Sequence, residues 1–165
     1  MKKKSENDYD QLLYKIADYT LKNRKENDTT LKEASYCLLD SIGCALEALE
    51  YQACKKILGP MFEETLTHKG SRIPGTNFIL DPITAAFNFG TMIRWLDYND
   101  TWLASEWGHP SDNLGGILSV ADYISQKRSK DNELKMIEVL QNIVKAHEIQ
   151  GVIALKNSFN KVGLD

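Results

Sequence analysis

Apolar side chains recur at the spacing of an α-helix in successive stretches of the chain, and this pattern constrains the fold more than any other feature. In the first stretch, Tyr9, Leu12, Leu13, Ile16 and Tyr19 fall on one helical face. Side chains at this spacing can pack together against a core while the opposite face meets water. The pattern predicts an all-α fold with about six helices.

Capping residues indicate where the predicted helices begin. Thr30 and Glu33 have the form of a capping box and predict the start of a long helix. Asp81 before Pro82 predicts another start, for a helix that should run to about Asp97. The remaining predicted helices are a short one over 51–58 that ends at Gly59 and Pro60, one capped by Ser111 or Asp112, and one opened by Asp131 or Asn132.

Two stretches, 60–80 and 98–110, lack helical periodicity and are interpreted as loops. Gly43 lies within the predicted long helix, where glycine lowers helix stability. We expect Gly43 to permit a close helix crossing.

The composition excludes several classes of protein. The chain has 165 residues, of which 42% are hydrophobic and 26% charged, as in soluble globular domains that bury a core. Its net charge of −3 argues against sequence-independent binding of nucleic acid or of an anionic membrane surface. No apolar run approaches the roughly 20 residues of a membrane span. The basic start is not followed by the apolar segment of a secretory signal, so we expect a cytoplasmic protein.

The three cysteines, Cys37, Cys44 and Cys54, lie among apolar residues. They lack the close CxxC spacing that is typical of zinc and iron–sulfur sites. We therefore interpret them as buried thiols and expect neither a metal nor another cofactor.

Residues 70–126 contain no lysine, although lysine is frequent in the rest of the chain. The same stretch contains all three tryptophans, Trp95, Trp102 and Trp107. Because lysine is typical of solvated surface, its absence indicates burial in a core or an interface. Either the stretch is a central buried helix pair, or its loop 98–110 lies in a substrate cleft.

Acidic, hydroxyl, imidazole and aromatic side chains are concentrated in residues 94–116. If the preceding helix continued, Asp97 and Thr101 would share one face of it. His109 follows Gly108, and an imidazole in a partly buried loop is suited to general acid–base catalysis. The alternative is a hydrogen-bonded loop with a purely structural role.

Two other chemistries are compatible with single residues of this stretch but are disfavoured. Glu106, His109 and Asp112 have a spacing that could bind a divalent metal, although the intervening proline opposes a helix through all three. Ser105 or Ser111 could pair with His109 as in a hydrolase, but the chain has no nucleophile-elbow pattern.

Four segments carry a resemblance to a known family. They are Gly-Thr-Asn-Phe-Ile-Leu-Asp-Pro-Ile-Thr-Ala-Ala-Phe-Asn-Phe-Gly at 75–90, Arg-Trp-Leu-Asp-Tyr-Asn-Asp-Thr-Trp at 94–102, Glu-Trp-Gly-His-Pro-Ser-Asp-Asn-Leu-Gly-Gly-Ile-Leu at 106–118, and His-Glu-Ile-Gln-Gly-Val-Ile-Ala-Leu at 147–155. Together they closely resemble the MmgE/PrpD family. This resemblance implies a large helical domain and a smaller α+β lid, with the active site between them.

The resemblance also implies an activity, which is the removal of water from 2-methylcitrate, and in some members from citrate, during propionate breakdown by the methylcitrate cycle. No cofactor or metal is implied, and the expected partner is a small tricarboxylate substrate. Asp97, Thr101 and His109 match the active-site motif of the family. His109 would transfer a proton, Asp97 would orient or balance a cation, and Thr101 would hydrogen-bond the substrate.

Family members are considerably longer than this chain, so residues 1–165 are expected to be the N-terminal portion of the helical domain without the lid. We expect such a chain to be inactive alone, to associate with the missing C-terminal part, and to be homo-oligomeric in its full-length form. A tricarboxylate needs several cations, whereas residues 70–126 contain only Arg72 and Arg94. The alternative function is a non-catalytic helical binding or structural module derived from the same family.

Overall fold

The computed structural model describes residues 7–22, 25–62, 67–128 and 132–164, without the side chains of 7–10. These residues form six α-helices and one small antiparallel sheet, which confirms the all-α prediction. In the described residues, no helix combines the length and the apolar character needed to cross a membrane. The helices are α1 Asn7–Leu21, α2 Asp28–Glu47, α3 Gln52–Lys55, α4 Pro82–Arg94, α5 Leu114–Lys127 and α6 Met136–Lys156, and the strands are β1 Ser71–Arg72 and β2 Ile79–Leu80.

Helices α4 and α5 form the central pair of the fold, and α2 and α6 pack around them. Their backbones approach closely at Gly115, where an added Cβ would lie 2.7 Å from both the Ala86 oxygen and the Gly90 nitrogen. The expectation of a close crossing at Gly43 is wrong, because a Cβ there would have nothing within 4 Å. The core contains buried side chains from all four helices: Ala34, Leu38, Ala45, Ala85, Phe89, Met92, Ile93, Leu114, Val139, Ile143 and Val144.

Side-chain caps fix the starts of α2 and α4. Asp81 accepts hydrogen bonds from the N–H groups of Ile83 and Thr84, at 3.0 and 3.1 Å, which confirms the predicted start at Asp81 and Pro82. The predicted start of the long helix at Thr30 is wrong. Asn27 caps α2 instead, accepting from the Thr30 N–H at 2.8 Å, so that the helix begins at Asp28.

Several predicted helix ends are also displaced. Helix α4 ends at Arg94 and not at Asp97, where the backbone takes a left-handed φ of 53°. A 3-10 turn over Pro110–Asn113 precedes α5, so neither Ser111 nor Asp112 caps it directly. The last helix begins at Met136, after Asn132, and Asp131 lies outside the described residues. Helix α3 is shorter than the predicted 51–58.

The stretch 60–80, interpreted as a loop, contains the two short strands. Ser71 pairs with Leu80 and Arg72 with Ile79, around a turn in which Gly75 has φ 72°. Periodicity could not indicate strands of two residues, because a pattern of period two needs a longer segment.

The lysine-free stretch supplies the central helix pair, as one of the two interpretations predicted. The loop that joins the two helices is less buried than they are, because Leu103 is 80% exposed and Trp107 is 61% exposed. Among the three free cysteines, Cys44 and Cys54 are buried as predicted, whereas Cys37 is only partly buried.

Candidate active site

The loop between α4 and α5 is closed at its base by a pair of backbone hydrogen bonds. The Trp102 N–H donates to the Gly108 oxygen at 2.7 Å, and the Gly108 N–H donates to the Trp102 oxygen at 3.1 Å. Residues 103–107 form the tip of this loop. His109 directly follows Gly108, so the bridge between Trp102 and Gly108 fixes the position of the His109 backbone.

The His109 imidazole is held by a backbone carbonyl and faces a carboxylate. Its Nδ1 lies 2.6 Å from the Asp100 carbonyl oxygen. A carbonyl can only accept a hydrogen bond, so Nδ1 carries the hydrogen and neutral His109 has its lone pair on Nε2. That Nε2 lies 3.8 Å from Asp97 Oδ1, and the side chain is only 17% exposed. The Trp107 ring meets the imidazole edge-on, with centroids 5.6 Å apart.

Arg94, the last residue of α4, binds the carboxylate that faces His109. Its Nη2 donates to Asp97 Oδ1, and its side chain is 19% exposed while that of Asp97 is 71% exposed. Aspartate tolerates the left-handed conformation seen at Asp97 better than most residues. The turn and the ion pair together direct the Asp97 carboxylate toward His109.

The remaining nitrogens of Arg94 are also occupied. Nε lies 3.1 Å from Asp112 Oδ1, and Nη1 donates to the Asn99 amide oxygen. Partial burial raises the pKa of Asp112, and the positive charges of Arg94 and His109 oppose this rise. The buried Asn99 also donates through Nδ2 to Ser111 Oγ at 3.1 Å, which links the end of α4 to the turn before α5.

The structure brings Asp97 and His109 together, but it does not place Asp97 and Thr101 on one helical face. The helix does not continue to Thr101, because α4 ends at Arg94 and the chain turns at Asp97. Thr101 is exposed in the first part of the loop. A substrate could reach its hydroxyl there, and that role stays a prediction.

Glu106 does not join His109 and Asp112 in a metal site. Its carboxylate accepts from the Phe159 and Asn160 N–H groups, at 2.6 and 3.2 Å, and from the Asn160 side chain at 2.8 Å. Asp112 is paired with Arg94. Among the described residues, no group of three or more His, Cys, Asp or Glu side chains is placed to bind a metal.

The two serines considered as nucleophiles have other partners. Ser105 Oγ donates to the Leu155 oxygen at 2.8 Å, and Ser111 Oγ is buried against Asn99. His109 Nδ1, which a triad would use toward a carboxylate, is bound to a carbonyl. The hydroxyls are therefore placed for structure and not for attack.

Sequence reasoning missed Asn99 and Asp100 as parts of the site. The backbone carbonyl of Asp100 sets the tautomer of His109. The side-chain Oδ2 of Asp100 accepts a hydrogen bond from the Ser111 N–H at 2.9 Å. The available signal was the run of hydrogen-bonding side chains from Asp97 to Thr101, since such side chains bind a backbone that leaves a helix.

The described residues form a helical domain in which the loop between α4 and α5 holds an imidazole against a carboxylate. Comparison with known proteins defines the family more narrowly. Residues 14–165 match the MmgE/PrpD N-terminal domain, and the chain belongs to this family.

Two of the relatives found in the comparison are 2-methylcitrate dehydratases. The chain is 56% identical over 160 residues to the 2-methylcitrate dehydratase of Salmonella typhimurium, covering 96% of this chain and 33% of that protein. It is 49% identical over 159 residues to the mitochondrial 2-methylcitrate dehydratase of Yarrowia lipolytica, covering 94% of this chain and 31% of that protein. The chain thus spans about a third of the length of the curated relatives it matches.

Proposed function

We propose that this chain supplies the acid–base loop of a 2-methylcitrate dehydratase, a hydro-lyase that converts 2-methylcitrate to 2-methyl-cis-aconitate. The observation that carries the proposal is the free Nε2 of His109, 3.8 Å from Asp97 Oδ1. The names of the relatives support the choice of substrate.

Dehydration removes a proton from carbon and a hydroxyl group from the neighbouring carbon, so it needs a group that can take or give a proton. His109 is suited to either step, because its Nε2 can exchange a proton while Nδ1 stays bound to the Asp100 carbonyl. Asp97 then stabilises the imidazolium by charge. Thr101 is assigned to a hydrogen bond with the substrate.

The charges of the site support a further element of the proposal. Arg94 is occupied by two carboxylates and an amide, and Arg72 is paired with Asp122. These are the two cationic residues of the lysine-free stretch 70–126. A tricarboxylate cannot be buried without cations, so we propose that its counter-charges come from outside this stretch.

A chimera tests the proposed activity directly. Residues 14–165 would replace the matching segment of the Salmonella typhimurium relative, and formation of the conjugated product would be followed by its ultraviolet absorbance. We expect the chimera to dehydrate 2-methylcitrate and the isolated 165-residue chain to show no turnover. A chimera that folds and lacks activity would contradict the proposal and favour the alternative, a non-catalytic helical module. Turnover by the isolated chain would contradict the charge argument.

Asp97 allows the charge of the site to be changed with little change in the fold. In the chimera, Asp97→Asn keeps a side chain that tolerates φ 53° and can still accept from Arg94. We expect kcat to fall about tenfold to a hundredfold, since the imidazolium loses its counter-charge, and the melting temperature to change little.

Asp97→Ala is the matched variant for the backbone effect. It should cost about 1 kcal/mol of stability, because a residue without a polar side chain disfavours the left-handed conformation. Full activity of Asp97→Asn would remove the carboxylate charge from the proposed mechanism.

A further inference from the structure

We propose that Glu106 is a positioning residue for His109, acting by fastening the tip of the loop 103–107 to the end of α6 and the turn that follows it. The inference uses the proposed function only in giving His109 its role in proton transfer.

The loop between α4 and α5 docks on the end of α6. The last carbonyls of a helix have no partner within the helix. The Glu106 N–H donates to the Ala154 oxygen at 3.1 Å, and Ser105 Oγ donates to the Leu155 oxygen at 2.8 Å. The tip of the loop therefore caps the C-terminus of α6.

The carboxylate of Glu106 binds the segment that follows α6. Glu106 Oε2 accepts from the N–H groups of Phe159 and Asn160, and from Ser158 Oγ at 3.3 Å, while Oε1 accepts from Asn160 Nδ2. These hydrogen bonds, led by the one from the Asn160 N–H, lower the pKa of Glu106, so the carboxylate is ionised at neutral pH. One side chain thus joins the loop tip to residues 158–160.

The tip of the loop is joined to its base at the bridge between Trp102 and Gly108. The bridge between Trp102 and Gly108 is flanked on its outer side by Asp100 and His109, whose hydrogen bond fixes the tautomer. A Cβ on Gly108 would lie 3.1 Å from Gln150 Nε2, so the base also lies against α6. Because tip and base rest on the same helix, loss of the Glu106 carboxylate weakens the hold on the tip, which the Ser105 hydroxyl and the Glu106 N–H then maintain alone, and loosens the bridge.

The test is nuclear magnetic resonance of the 165-residue chain labelled with ¹⁵N, with the histidine ring nitrogens of His109 and His147 observed separately. In the unsubstituted chain we expect His109 to be in the Nδ1–H form when neutral. In Glu106→Ala we expect the His109 ring nitrogens to shift toward a mixture of tautomers. The Phe159 and Asn160 amides should exchange about tenfold faster or more, since their charged acceptor is gone.

Controls separate positioning from a general loss of structure. Glu133→Ala removes a carboxylate from an exposed glutamate before α6 and should leave His109 unchanged. His147, on α6, should keep its signals in Glu106→Ala. Glu106→Gln retains one acceptor oxygen and should shift His109 by an intermediate amount, which keeps the test informative if Glu106→Ala does not fold.

Faster amide exchange at Phe159 and Asn160 with unchanged His109 nitrogens would overturn the proposal, because Glu106 would then cap the turn without positioning the imidazole. Unchanged exchange would overturn it as well. Both readouts are made without substrate, so an inactive chimera would contradict the proposed function and leave this inference standing.

Discussion

His109→Ala, introduced into the chimera that contains residues 14–165, is expected to lower kcat for 2-methylcitrate by about 10²- to 10⁴-fold, the usual contribution of a positioned acid–base group. The fold should survive, since the substitution removes one hydrogen bond to the Asp100 carbonyl, worth about 1 kcal/mol. Steady-state kinetics and a thermal melt on the same preparation measure both effects.

His109→Asn separates the two functions of the imidazole. Its amide can donate to the Asp100 carbonyl near the position of Nδ1, but it offers no basic nitrogen in place of Nε2. We expect this variant to melt close to the parent chimera and to be as inactive as His109→Ala. His68→Ala, at an exposed histidine outside the site, is the matched control and should retain full activity. Near-normal turnover in His109→Asn would remove His109 from the proposed mechanism.

Periodicity and capping residues predicted that the helices exist, although not all of their ends, because both signals are local. Asp81 and Pro82 mark the start of α4 within the sequence itself, and the structure confirms their role. The start of α2 was misplaced because Asn27 and Thr30 are both good caps, and only the folded backbone shows which one accepts the hydrogen bond. The strands β1 and β2 were missed because their pairing is a contact between segments.

Some residues of the candidate site could likewise be predicted from the sequence, whereas others depend on contacts made only in the folded chain. His109 and Asp97 could be identified from residue type and family motif, and the structure brings them together. The carbonyl of Asp100, by contrast, depends on how the loop closes, which no residue type reveals. Glu106 was considered as a metal ligand because its spacing from His109 was visible, whereas its partners at 159 and 160 lie more than fifty residues away in sequence.

The glycines show the same limit of local reasoning, and substitution of one of them is expected to have a large effect on stability. Gly115→Ala would place a methyl group 2.7 Å from the Ala86 oxygen, against backbone that cannot rotate away. Helices α4 and α5, the central pair, would have to separate, and the voids left along their interface would add to the cost. We expect the free energy of unfolding of the 165-residue chain to fall by about 3 kcal/mol.

Gly43→Ala is the matched substitution, because it makes the same chemical change in a helix interior where a Cβ meets nothing within 4 Å. It should raise the free energy of unfolding by about 0.5–1 kcal/mol, since alanine favours the helix and restricts the unfolded chain. Urea unfolding followed by circular dichroism measures both variants on one scale. Equal effects at the two positions would mean that α4 and α5 do not approach closely at Gly115. A loss of stability in Gly43→Ala would support the close helix crossing that was expected at Gly43 from the sequence.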